Sequence, residues 1–181
     1  TQFASSAASD VYKRQALYAE SDVFISNKIA GRVGVRGEYS SILDKFNIAP
    51  RTSIAYKTGD NSQVSFAYGQ FYQTPQSSYL VSSSNLDYER AAHYILNYQI
   101  MTDERTFRAE AYYKTYHNLM EDTIAGNFFD GSDTERKNTG SGFARGVDIF
   151  WRDKKTIKNS DYWISYSLSL IHISEPTRRE G

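Results

Sequence analysis

The chain has no cysteine and only three prolines and three histidines in 181 residues. Without cysteine there is no disulfide framework and no thiol chemistry. Neither sign of charge is in excess: Lys plus Arg number 21, as do Asp plus Glu. That balance argues against nucleic acid as a partner. No apolar run reaches the roughly eighteen residues of a transmembrane helix. This leaves a membrane barrel open, because each of its strands hides only half its residues in lipid. Aromatic residues, by contrast, are abundant, with 15 tyrosines and 10 phenylalanines.

The sequence also has a period of two. Between residues 106 and 116, Phe107, Ala109, Ala111 and Tyr113 alternate with Arg108, Glu110, Tyr112 and Lys114. Successive strand side chains point to opposite faces, so one face is uncharged and the other is charged. The same reading predicts eight strands, at about 16–25, 28–39, 48–57, 63–73, 88–100, 106–116, 143–152 and from 162 onward. Tight turns are expected after the first, third and fifth strands. Longer loops are expected at 40–47, 74–87 and 117–142. The connection at 154–161 is longer than such an alternation prefers.

Alternation alone also describes a soluble sandwich or barrel with its apolar face inward. Three features favour a membrane. The central apolar faces carry no Lys, Arg, Asp or Glu; the exceptions, Arg90 and Arg145, are read near strand ends on the long-loop side. The opposite faces carry both signs of charge, as a hydrated lumen would. Aromatics gather toward strand ends at Tyr39, Tyr56, Tyr72, Tyr113 and Trp151, as in the girdles of membrane barrels. The fold class expected is therefore all-β: an antiparallel up-and-down meander of about eight strands, an open piece of a larger transmembrane barrel.

Residues 5–15 resemble the in-frame translation of a transposase sequencing adapter, and residues 168–178 resemble the opposite adapter. Residues 1–15 and 168–181 are accordingly expected to add no native structure, and any strand there to be incidental pairing with an open edge. The natural segment is then 16–167.

Four stretches of that segment resemble a family. Residues 27–39 look like a hairpin ending in arginine, a small residue and glutamate (Arg36, Gly37, Glu38). Pro50-Arg51 opens a strand. Residues 65–75 form an aromatic strand ending in Pro75, and Arg145-Gly146 precedes Val147-Asp148. Together they resemble the C-terminal barrel of a TonB-dependent outer-membrane receptor of the Bacteroidetes kind. The resemblance implies an outer-membrane location, a 22-stranded barrel filled by a plug, and ligand capture by outer loops. It also implies energised import of a scarce nutrient, whether siderophore, cobalamin, glycan or peptide. The partners implied are the outer-membrane bilayer, the TonB complex through a plug absent here, and a surface lid lipoprotein.

No enzyme activity and no cofactor are expected, and no His/Cys/Asp/Glu spacing suits a metal. Glu20 and Asp22 read as wall charges, and Gly140-Ser141-Gly142 as loop rather than nucleophile elbow. Asp130, Asp133 and Glu135 lack a regular calcium-ligand spacing. The lumen-facing candidates are Arg32, Arg36, Glu38, Arg51, His93, Arg108, Glu110, Lys114 and Asp148. Tyr79, Leu80, Phe128 and Phe129 are the outer-loop candidates for ligand contact. Two competing readings are a standalone eight-stranded barrel with a structural or adhesive role, and a soluble ligand-binding barrel.

Overall fold

A computed structural model describes residues 14–75, 86–124 and 134–174. It contains eight strands: β1 (Arg14–Phe24), β2 (Ile29–Ser40), β3 (Lys45–Gly59), β4 (Ser62–Gln73), β5 (Glu89–Met101), β6 (Arg105–Ile124), β7 (Thr134–Asp153) and β8 (Tyr162–Ser174). They form one antiparallel meander in sequence order. Among the described residues β8 does not pair with β1, so the sheet is open.

The two-residue period fixes the register. Ile54 pairs with Phe66, Phe66 with Leu96, Leu96 with Ala111, and Ala111 with Val147. A slip of one residue would turn every side chain of a strand to the other face. The charged rows align in the same way: Glu110 pairs with Asp148, and His93 with Lys114. The sheet curls toward its charged side, where Arg14 at the start of β1 hydrogen-bonds Thr74 beyond the end of β4.

Among the described residues no second layer covers the apolar face. The buried apolar residues are only Ala49, Leu86, Tyr88, Ala92 and Ala144 among those described. Val33, Ile54, Phe66, Leu96, Val147 and Ile149 are all exposed. A soluble sandwich would bury that row against a facing sheet. Among the described residues nothing supplies that cover.

The loops differ from the sequence expectation in two places. The connection expected at 40–47 is a four-residue turn, 41–44, with Asp44 in the left-handed region at φ 50° and accepting from the Tyr39 hydroxyl at 2.7 Å. The expected loop at 117–142 is mostly strand: β6 continues to Ile124 and β7 starts at Thr134. Apolar alternation stops near Tyr116, but ladder pairing does not. It continues through register shifts at His117, Leu119 and Glu121, with Asn118 at φ 57°. A hairpin without an apolar period leaves nothing in the sequence to read, although its backbone pairs. Arg145 is therefore well inside β7 rather than near its end.

The long turn at 154–161 is built around Asp153, which is 1% exposed. Its carboxylate accepts from the Lys155 and Thr156 amides (2.7 and 2.8 Å), the Thr156 hydroxyl (2.7 Å) and Arg105 Nε (3.0 Å). The chain thus folds into a capped turn rather than a slack loop.

Candidate functional site

The charged face of the sheet is the chemically distinctive surface. Cross-strand partners share a face, and the pairing puts all nine charged candidates on this one. Arg32 lies opposite Asp22 and Ser53, Arg36 opposite Ala49, Glu38 opposite Asn47, and Arg51 opposite Gly69. His93 joins Gly69 to Lys114, Arg108 lies opposite Gln99, and Glu110 lies opposite Asp148.

The face divides into two parts. Over β1–β3 the charges are paired. Arg32 sits 2.7 Å from Asp22 and 3.3 Å from Glu20, while Glu38 takes Arg36 at 2.9 Å and Arg14 at 2.8 Å. The Arg32 and Arg36 side chains are about half exposed, so these contacts order the wall more than they stabilise it.

Over β3–β7 the cations meet aromatic rings instead. The Arg51 guanidinium lies over the Phe71 ring at 4.7 Å, and Phe71 lies 4.6 Å from the His93 ring. Such cation–π contacts contribute roughly 0.5–1 kcal/mol when exposed. Gly69 makes room for this stack, since a Cβ there would meet the Phe71 ring at 3.1 Å. Lys114 Nζ lies over Tyr112 at 4.7 Å, and the Tyr112 hydroxyl occupies the space that a Cβ on Gly146 would need. A cavity of about 210 Å³ lies against the stack, lined by Glu20, Arg32, Arg51, Phe71, His93 and Ile95 among others.

Glu110 and Asp148 stand side by side and are held by neutral donors, Asn97 Nδ2 at 3.4 Å and Ser167 Oγ at 2.6 Å. No group of three or more His, Cys, Asp or Glu side chains comes together among the described residues. The arrangement presents fixed charges and rings to a passing or resting solute. It does not juxtapose a nucleophile, a base and an orienting group.

Sequence reading missed the residues that act through backbone contacts. Tyr88, 3% exposed, donates to the Lys45 carbonyl at 3.3 Å. Asn138 accepts from the Asp87 amide at 2.8 Å and donates to the Asp87 and Asn118 carbonyls at 3.2 and 3.0 Å. Pro75 followed by a loop was the one signal that the chain leaves the sheet there. Tyr79, Leu80, Phe128, Phe129, Asp130 and Asp133 lie outside the described residues, as does the Glu135 side chain.

A family profile described as TonB dependent receptor-like, beta-barrel, matches residues 1–175. No curated protein sequence matches the chain. Among solved structures, the alcaligin outer-membrane receptor FauA of Bordetella pertussis superposes with a TM-score of 0.71 at 14% identity, over 90% of this chain and 31% of that one. The FrpB iron transporter of Neisseria meningitidis gives 0.66 at 12% identity, over 88% and 26%. The copper transporter OprC gives 0.61 at 11% identity, over 87% and 28%. At these identities the likeness is one of fold. The chain spans under a third of the length of each.

Proposed function

Because the chain belongs to the TonB-dependent receptor β-barrel family, a family of the outer membrane, we propose that it forms part of the wall of a barrel that imports a scarce nutrient. The charged face lines the lumen and the apolar face meets lipid. A plug domain couples the barrel to the TonB complex, and the rim at Gln73, Glu89, Ile124 and Thr134 faces the cell exterior. The cargo class stays among iron chelate, cobalamin, glycan and peptide.

One observation carries this reading. The described residues form a single-layered sheet with one face densely charged and the other apolar, apart from Arg90, Arg145 and the rim pair Arg105–Asp153, and the apolar face is left bare. Lipid accepts such a sheet only within a closed barrel, because unpaired backbone groups cost several kcal/mol each in hydrocarbon. An import role without catalysis agrees with the charge-and-ring lining of the inner face.

The test is uptake. The complete gene is recovered and deleted, and cells are offered labelled ferric chelates, cobalamin, glycans and peptides with and without a protonophore. Loss of one energy-dependent uptake on deletion supports the reading. Uptake of all four classes unchanged by deletion overturns it.

We also infer that residues 1–15 and 168–181 derive from sequencing adapters. In β8 the alternation fails there: Ile171 and Ile173 stand on the charged face, 67% and 63% exposed, opposite Ala144 and Gly142. Resequencing the source DNA with another library chemistry should remove both ends, and their persistence would refute the inference.

A further inference from the structure

The barrel wall is split on its long-loop side. Pairing between β3 and β4 ends at Arg51 opposite Gly69. Beyond it, β3 runs on to Lys45 beside β2, and β4 runs on to Gln73 beside β5. Between the lips lies a cleft of about 590 Å³. The stretch 86–88 bridges it, with Lys45 holding Asp87 at 3.3 Å and the Leu86 carbonyl at 3.3 Å.

The two lips differ in chemistry. On the β3 side the cleft meets Phe46 and Ile48, 63% and 55% exposed and both on the apolar face. On the other side it meets Tyr72, Arg90 and His117, which form one cross-strand row on that same face. Arg90 has no carboxylate partner among the described residues. Asn47, 8% exposed and opposite Glu38 on the charged face, closes the cleft from that side, where its side chain meets Tyr88. Asp87, the one acid lining the cleft, is engaged by Lys45 and by the Tyr88 amide at 2.7 Å.

A strand edge without a ladder and an unpaired arginine are both costly in hydrocarbon. Both are tolerable at headgroup depth, where anionic groups are at hand. An apolar lip beside a lip that carries an arginine without a carboxylate partner and a histidine matches a molecule with an acyl chain and an acceptor-rich anionic head. We propose that this cleft binds the phosphorylated headgroup of an outer-leaflet glycolipid. Arg90 and His117 face the phosphate and sugar oxygens, and Phe46 and Ile48 face the first acyl carbons. The proposal rests on the apolar face being the lipid face.

The full-length receptor is reconstituted into phosphatidylcholine vesicles doped with lipid A, extracted, and its retained lipid counted by native mass spectrometry. The wild type should keep lipid A but not its dephosphorylated form, and millimolar inorganic phosphate should not displace it. Arg90→Gln should weaken retention roughly fivefold, the weight of one arginine at an anionic surface, while Arg90→Lys should restore most of it. Heat-modifiable migration checks that each variant folds. Equal retention by wild type and a folded Arg90→Gln, or equal retention of the dephosphorylated lipid, overturns the proposal. Full displacement by inorganic phosphate makes the cleft a free-anion site and overturns it too. If Arg90→Gln does not fold, His117→Ala takes its place with the same criterion. A receptor that does not insert into the vesicles at all refutes the lipid-face reading itself. One that inserts without retaining lipid A refutes only the cleft assignment.

Discussion

Placing an arginine at Leu96 tests the assignment of the two faces most directly. Leu96 lies opposite Phe66 and Ala111 and is 51% exposed, with no acidic partner on either neighbouring strand. Its row falls between two aromatic belts. Tyr68, Tyr94 and Tyr113 form one, with centroids 5.1 and 6.4 Å apart. Tyr98, Phe107 and Trp151 form the other, at 6.4 and 6.1 Å. A guanidinium placed midway between such belts costs roughly 2–4 kcal/mol. That is about a thirty- to several-hundred-fold loss in the folded-to-unfolded ratio. Snorkelling of the long stem toward a belt pulls the value to the lower end. The matched control is Asn97→Arg, one residue away on the other face, between Ser65 and Glu110. It should change stability by less than about 0.5 kcal/mol. The assay is denaturant unfolding of the full-length receptor in phosphatidylcholine vesicles, followed by tryptophan fluorescence and heat-modifiable migration. A silent Leu96→Arg beside a costly Asn97→Arg would refute the assignment, and equal effects would refute the membrane reading.

Other outcomes follow from single contacts. The Thr156 amide first, then the Thr156 hydroxyl, the Lys155 amide and Arg105, hold the Asp153 carboxyl at about 2 against an ordinary 3.8. Because the folded value is the lower one, its stabilisation is complete above the ordinary value and is lost as pH falls toward 2. Amide exchange at Lys155 and Thr156 should accelerate in that window, and Asp153→Asn should abolish the pH dependence. Gly146→Ala would place a Cβ 2.5 Å from both the Tyr112 hydroxyl oxygen and the Leu168 carbonyl. It should cost about 1–3 kcal/mol by overpacking, read as a lower denaturant midpoint. Asn138→Ala removes two hydrogen bonds between Asp87 and the β6–β7 hairpin, and one to Asn118 within that hairpin. It should speed limited proteolysis near residue 87, and unchanged cleavage would mean Lys45 and Tyr88 suffice. Spin labels at Phe66 and Ile149 should be reached by lipid-soluble oxygen and those at Arg51 and Asp148 should not; the reverse pattern would turn the barrel inside out.

The parts of this protein legible in sequence are those governed by a local period. Alternation at Phe107 to Tyr113 and at Tyr94 to Ile100 states which side chains share a face, because strand geometry leaves only two choices. The strand count and neighbour order follow, since short turns force antiparallel neighbours. The hairpin above Tyr116 carries no apolar period while its backbone still pairs, so its residues resemble a loop. The turn after Trp151 is set by one aspartate collecting four donors, and composition carries no trace of that.

The sequence by itself determined which side chains share the apolar face and which the charged one, because the two-residue period of a strand leaves only two choices. Tertiary structure alone decided where the wall opens. The parting of β3 from β4 above Arg51, its bridging by residues 86–88, and the meeting of Phe46, Asn47 and Arg90 join positions dozens of residues apart. Contacts between such distant segments depend on how the sheet curls and where a ladder stops, and no local pattern encodes either.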